Sequence, residues 1–183
     1  VAAIAGALDR LAPSERPHLV VDPVMVATSG DQLIDDAAID ALRSDLFRRA
    51  ALLTPNMDEA SVLLGRDVVD VSQLEDAAKE LAETFGTAVL VKGVQLNRNE
   101  AVDYHVQKDG TTERFAARLI PDRSTHGTGC TLSSAITARV ARGFPLGAAV
   151  LEAKHYVHRA IEHLMRWEGP VDALNHFDQP ETE

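Results

Sequence analysis

Ser124-Thr125-His126-Gly127-Thr128-Gly129-Cys130-Thr131-Leu132-Ser133-Ser134-Ala135 joins a glycine turn to a helical period. Two glycines flank Thr128. From Thr131 onward Leu132, Ala135, Ile136 and Val140 recur at helical spacing, so one face of that helix is apolar. Gly143 and Pro145 close it and open the next. A Gly-Thr-Gly turn feeding a helix N-terminus makes an anion site. Glycine lets the backbone approach closely, backbone N–H groups point outward, and the helix dipole favours negative charge. Cys130 sits where that field favours a thiolate. The same residues also read as a plain glycine turn capping a helix, with Cys130 a small buried hydrophobe.

Upstream, apolar runs alternate with helical periods. Val1 to Leu11 reads as a helix with Ile4, Leu8 and Leu11 on one face, ended by Pro13. His18 to Val24 is a strand run that ends in a polar turn. Asp35-Asp36 caps a helix carrying Ile39, Leu42 and Leu46. Ala51 to Asn56 is a second strand, followed by a short helix through Glu59 to Leu64 that Gly65 stops. Ser72-Gln73-Leu74-Glu75 reads as a capping box for a helix reaching about Phe85 and Gly86. Ala88 to Gly93 is a third strand. Ala101 to Val106 and Thr111 to Ile120 flank Lys108-Asp109-Gly110, a hairpin signal. A last helix from Pro145 turns Leu146, Ala149, Val150, Ala153, Val157, Ile161 and Leu164 inward.

This alternation predicts an α/β domain with a largely parallel sheet. In such sheets ligands bind beyond the carboxyl ends of the strands. Asp22, Asn56, Glu59 and Lys92 all fall at or just past predicted strand ends, on one shared edge reached from three segments.

The bulk composition narrows the classes. A chain of 183 residues with 45% hydrophobic and 4% aromatic content supports one domain with an aliphatic core. The formal net charge of -10 and the lack of a basic stripe argue against nucleic acid as partner. One cysteine precludes an internal disulfide and suits a reducing cytoplasm. No apolar run approaches the ~20 residues of a membrane span. The chain begins Val1-Ala2-Ala3-Ile4 without Met or a basic leader, which suggests that an N-terminal part is missing.

Asp22 and Glu59 are carboxylates suited to holding Mg²⁺, directly or through water. Asn56-x-x-Glu59 places an amide at a helix N-cap and an acid in its first turn, and a plain cap explains both residues as well. Lys92-Gly93 at a strand end can meet a phosphate as a point charge; a solvated lysine is the alternative. An acid, an Asn/Glu pair, a lysine, an anion-binding turn and a potential base are together the parts that phosphoryl transfer uses. No Gly-x-x-x-x-Gly-Lys-Ser/Thr loop is present, so the chain is not a P-loop protein.

These segments resemble the hydroxymethylpyrimidine/phosphomethylpyrimidine kinases of thiamine biosynthesis, members of the ribokinase-like superfamily. Asp22-Pro23-Val24-Met25 through Ser29-Gly30-Asp31 resembles that family's DPVM-x-x-x-SGD segment. Thr54-Pro55-Asn56-Met57-Asp58-Glu59-Ala60 resembles its TPN-x-x-EA segment, and Val91-Lys92-Gly93 its VKG strand. Thr125 to Ala135 matches its THGTGCTLSSA signature, the most specific of the set. Gly169-Pro170-Val171 with Asn175-His176-Phe177 is similar to its C-terminal GPVNHF, here interrupted.

The resemblance implies a three-layer αβα fold of ribokinase-like type with a mostly parallel sheet, the chain being the C-terminal two-thirds of one kinase domain without its first strands. It implies ATP and Mg²⁺, with Cys130 as the base toward a hydroxymethyl group. Gly127, Thr128 and Gly129 would form the anion hole, Lys92, Asn56 and Thr125 would serve the nucleotide, and Asp22 and Glu59 the metal. A small-molecule acceptor, a cytoplasmic location and a homo-oligomer are the accompanying expectations. Pyridoxal kinase is the near rival, against which Cys130 counts because many of those enzymes carry Asp there. A truncated chain that binds nucleotide without turnover is the non-enzymatic alternative. His155, His158 and His163 read as surface residues of the last helix, Trp167 as a packing residue, and Asp103 and Asp109 as hairpin turn residues.

Overall fold

The computed structural model describes residues 1–26, 32–97, 100–120, 127–165 and 172–177. In chain order the elements are α1 (Ala2–Asp9), β1 (Val20–Val21), α2 (Asp36–Ala41), β2 (Leu52–Leu53), α3 (Met57–Leu64), α4 (Leu74–Phe85), β3 (Ala88–Asn97), β4 (Glu100–Val106), β5 (Thr112–Arg118), α5 (Thr128–Ala141) and α6 (Leu146–Glu162). The sheet order is β1-β2-β3-β4-β5. The strands β1, β2 and β3 run parallel, and the β4–β5 hairpin extends the sheet antiparallel.

Strand alternation makes the three layers. Leu53, Val89 and Val91 face a core closed by Ile39 of α2, Leu63 of α3 and Leu74, Leu81 and Phe85 of α4. Leu52, Ala88 and Leu90 face the opposite core, closed by Leu132 and Ile136 of α5 and Ala149, Val150 and Val157 of α6. The predicted α/β sandwich is therefore present, with helices on both faces.

Several local expectations shift. The α1 helix turns Ala5 inward while Ile4 stays 53% exposed, so the Ile4–Leu8–Leu11 face is not its packed side. The helix expected to carry Leu42 and Leu46 ends at Ala41. The chain continues as a wider turn over Leu42–Leu46 and a tight one over Phe47–Arg49, which buries Leu46 and Phe47. Phe47 then meets Phe85 edge to face, with centroids 5.0 Å apart.

The capping box ahead of α4 lies two residues earlier than the Ser72–Glu75 reading. Asp70 Oδ1 accepts the Ser72 N–H at 2.7 Å, and Gln73 Oε1 accepts the Asp70 N–H at 3.1 Å. A short tight turn, Val71–Gln73, intervenes before the helix, so the orphan N–H groups are met there first. The third strand runs on past Gly93 to Asn97, and its register with β4 shifts between those two residues. Among the described residues no helix is long and apolar enough to cross a membrane.

Candidate functional site

The strands β1 and β2 end level with each other, and the site forms there, beside β3, which runs on past them to Asn97. β1 gives way at Asp22 and β2 at Thr54-Pro55. Pro55 has no N–H, yet its carbonyl accepts the Lys92 N–H at 2.9 Å, and Asn56 bridges Lys92 in parallel register. Three segments separated in sequence thereby meet at the level where β1 and β2 end. Asp22 and Asn56 lie past strand ends as expected, whereas Lys92 lies within β3, because the β4 hairpin partner carries that strand on to Asn97.

Asp22 is the hub. Its Oδ1 receives the Lys92 ammonium at 2.9 Å and the Thr54 hydroxyl at 3.0 Å. The Ser133 hydroxyl lies 3.5 Å from Oδ2 and donates to the Cys130 carbonyl at 3.0 Å. The Lys92 and Asp22 side chains are 9% and 14% exposed, so the pair sits at the base of the site, shielded from bulk solvent.

Asn56 and Glu59 form a complete capping box. The Glu59 N–H donates to Asn56 Oδ1 at 2.8 Å, and the Asn56 N–H donates to Glu59 Oε2 at 2.7 Å. Glu59 is 2% exposed. Burial pushes its carboxyl above the ordinary value, against the opposing pull of the Asn56 N–H, the Lys92 charge and the Met25 N–H. Glu59 therefore ties the end of β1 to the start of α3, whatever else it does.

The glycine turn lies over this base. Gly127, at φ 83°, is the N-cap of α5 and takes the left-handed conformation that glycine tolerates. It has no side chain with which to cap the helix, which leaves that task to another oxygen. A Cβ placed on Gly129 would lie 3.3 Å from Lys92 Nζ and 3.9 Å from Asp22 Oδ2. The turn and the ion pair thus face one another across a gap that only a glycine leaves open. Cys130 follows, exposed. It borders a groove of about 580 Å³ between α5 and α6 that Arg139, Arg142, Tyr156 and His176 also line. His176 stacks on Tyr156 with planes 14° apart, docking the tail segment on α6.

Asp22, Asn56, Glu59, Lys92, Gly127, Thr128, Gly129 and Cys130 are thus gathered at one sheet edge. Thr125, with Ser124, His126, Ala27 to Asp31, Trp167 and Gly169 to Val171, lies outside the described residues. Thr54 and Ser133 were missed from sequence, although both carried a signal. Thr54 opens the Thr-Pro-Asn turn at a strand end, where a buried hydroxyl needs a partner. Ser133 stands one helical turn after Cys130. Asp109 keeps its turn role, accepting the Thr111 N–H at 2.9 Å. Asp103 does not: it lies buried within β4 and pairs with Lys154. His158 faces Glu162 at 3.4 Å, and the described residues hold no group of three or more His, Cys, Asp or Glu fit for a metal.

The donor chemistry suits a hard cation only in part. Asp22 and Glu59 offer oxygen ligands of the type Mg²⁺ takes, yet both already accept hydrogen bonds. Waters and phosphate oxygens would have to complete the shell, as is usual for Mg²⁺. The open gap at Gly129 beside a lysine suits a phosphate.

Comparison with known proteins bears on the family and the fold. The sequence pattern of the phosphomethylpyrimidine kinase family matches residues 1–172. A hydroxymethylpyrimidine/phosphomethylpyrimidine kinase of Rhizobium meliloti is 44% identical over 97% of this chain and 66% of its own length. The ADP complex of Bacillus subtilis pyridoxal kinase superposes with a TM-score of 0.83 at 30% identity, over 96% of this chain and 65% of that one. A phosphomethylpyrimidine kinase of Clostridium difficile superposes with a TM-score of 0.71 at 34% identity, over 86% and 62%. The chain spans about two thirds of the length of these relatives, and its layers are those of the ribokinase-like fold. A family pattern that covers nearly the whole chain, and a relative this similar across it, establish that the chain belongs to the phosphomethylpyrimidine kinase family.

Proposed function

We propose that this chain carries the phosphate-binding and base-bearing part of a kinase that transfers the γ-phosphoryl of ATP to hydroxymethylpyrimidine and then to its monophosphate. The observation that carries the proposal is the Lys92–Asp22 pair lying under Gly129, with the Cys130 thiol one residue further on. Lys92 supplies positive charge to the phosphates and is itself oriented by Asp22. The first turn of α5, from Gly127 through Thr128 and Gly129, presents backbone N–H groups to the phosphoryl as its charge develops. Cys130, reacting as its thiolate, takes the hydroxymethyl proton on Sγ and becomes the thiol while the oxygen bonds to phosphorus and ADP departs. Asn56 and Thr125 would complete the nucleotide contacts. Asp22 and Glu59 would hold Mg²⁺ through water, and the ion when bound supplies charge neutralisation across the phosphate oxygens.

The test is kcat and nucleotide Kd measured on the same preparations of the complete enzyme. Cys130→Ala should lower kcat by roughly 10²–10⁴-fold with nucleotide affinity kept. Cys130→Asp should retain part of the activity, because a carboxylate accepts the same proton. Wild-type turnover in Cys130→Ala would remove the thiol from the reaction.

A pyridoxal kinase activity is the second reading, favoured by the likeness to the Bacillus subtilis enzyme. Competition between pyridoxal and hydroxymethylpyrimidine for the same preparation decides it. A cytoplasmic location and no nucleic-acid partner remain part of the proposal, supported by the single cysteine and the net charge of -10. Self-association is also proposed, supported by the exposed apolar side chains Ile4, Val24 and Leu33, and sedimentation measures it directly.

A further inference from the structure

A second buried ion pair lies beside the site and has no part in the reaction described. On the antiparallel β3–β4 pair, Lys92 stands directly opposite Asp103. Opposite charges in such cross-strand positions are within reach of each other and attract, so Lys92–Asp103 is the pairing that register alone dictates. The side chains do otherwise. Lys92 reaches across to Asp22 on β1's side at 2.9 Å. The Asp103 carboxylate is taken on both oxygens: Lys154 of α6 donates to Oδ2, and the Gly93 N–H donates to Oδ1 at 3.2 Å. Gly93 is the residue next to Lys92 and stands where the β3–β4 register begins to slip.

Asp103 and Lys154 are both nearly sealed from solvent, at 8% and 9% side-chain exposure. Burying such a pair recovers little stability compared with an apolar filling of the same volume. Its effect here is on pairing. Two lysines and two aspartates share this face of the sheet, and an unneutralised Asp103 would draw Lys92 toward the hairpin. That would withdraw the cation from the gap at Gly129.

We infer that Lys154 is a positioning residue: by neutralising Asp103 it commits the Lys92 ammonium to Asp22 and to the phosphate cradle. The inference rests on the phosphate-site reading above for its consequence, but the placement of Lys92 can be measured separately.

The experiment uses the whole chain, whose four lysines are Lys79, Lys92, Lys108 and Lys154. The side-chain amine resonances are recorded with ¹⁵N-lysine labelling, Lys92 being identified by its loss in Lys92→Arg. Tripolyphosphate affinity is measured by calorimetry on the same samples. Lys154→Met should move the Lys92 resonance and weaken tripolyphosphate binding about tenfold or more. Asp103→Asn with Lys154→Met removes both charges, while the Asn oxygen still accepts the Gly93 N–H. It should return both readouts to wild type. An unmoved Lys92 resonance in Lys154→Met overturns the inference, even if the variant melts earlier, because a merely structural pair would behave that way. If Lys154→Met fails to fold, Lys154→Gln, which keeps a polar group against Asp103 without the charge, takes its place: a moved Lys92 resonance supports the inference and an unmoved one overturns it. Wild-type protein that ignores tripolyphosphate overturns the phosphate reading alone, and the resonance still decides the placement.

Discussion

Replacing Gly129 by alanine should raise stability and lower phosphate affinity in the same molecule. Gly129 lies in the first turn of α5 and is not among the positive-φ glycines, so alanine can adopt its backbone. In a helix interior the exchange gains about 1 kcal/mol, and about half of that is reasonable in a first turn. Against this, the new Cβ lies 3.3 Å from Lys92 Nζ, tighter than ordinary contact. The atom it presses is the end of a flexible stem, and a shift of a few tenths of an ångström relieves it. The net change is about 0 to +0.5 kcal/mol, or up to roughly 2 °C in Tm for a chain of this size. The consequence for phosphate is the reverse. An oxygen shared between Lys92 Nζ and the Gly129 N–H must come within about 3 Å of each, and the methyl occupies that space. Losing one charge-assisted bond costs about 1.5–3 kcal/mol, which is about 10- to 150-fold in Kd. Urea unfolding and calorimetry with tripolyphosphate read the two effects. Unchanged affinity would refute the cradle and leave the turn as a helix cap. A large loss of stability would refute the geometry.

Two further substitutions test the frame around the site. Gly93→Ala should cost about 2–3 kcal/mol in urea unfolding, because its Cβ would fall 2.4 Å from both Leu74 Cδ1 and the Val102 carbonyl oxygen; a neutral result would mean that β3 and β4 do not approach as described. Glu59→Gln tests the buried acid. Burial raises the Glu59 pKa, so the folded state holds that proton more tightly than the unfolded chain. Wild type should therefore be most stable relative to Glu59→Gln below the ordinary carboxyl value of ~4.3, and should lose that advantage as pH rises through the raised folded value. A stability difference that is flat with pH, or that grows as pH rises, would show that the ionised form is the one the fold favours.

What could be read from the chain alone was whatever acts over a few residues. The Asn56–Glu59 cap, the stops at Gly65 and Gly86, the Lys108-Asp109-Gly110 hairpin and the apolar periods of α4 and α6 each close within one turn or one strand, where sequence spacing is geometry. Strand-end placement of Asp22 and Asn56 followed from the same local rules, because parallel strands with helical crossovers expose their carboxyl ends together. Lys92 instead lies within β3, since pairing with β4 extends that strand to Asn97. The tight turn ahead of α4 was misplaced by two residues because Asp70 and Ser72 offer equivalent oxygens, and only the backbone path chooses between them. Side-chain partners were not legible at all. Lys92 meets Asp22 across 70 residues, and Lys154 meets Asp103 across 51. Asp103, by sequence a turn residue, is instead a buried charge because register sets it opposite Lys92 and α6 packs a lysine on it. A charge has no preferred partner until packing removes water and leaves one counter-charge within reach. Sequence therefore determined which groups meet at the edge, and tertiary structure decided which of them hold each other.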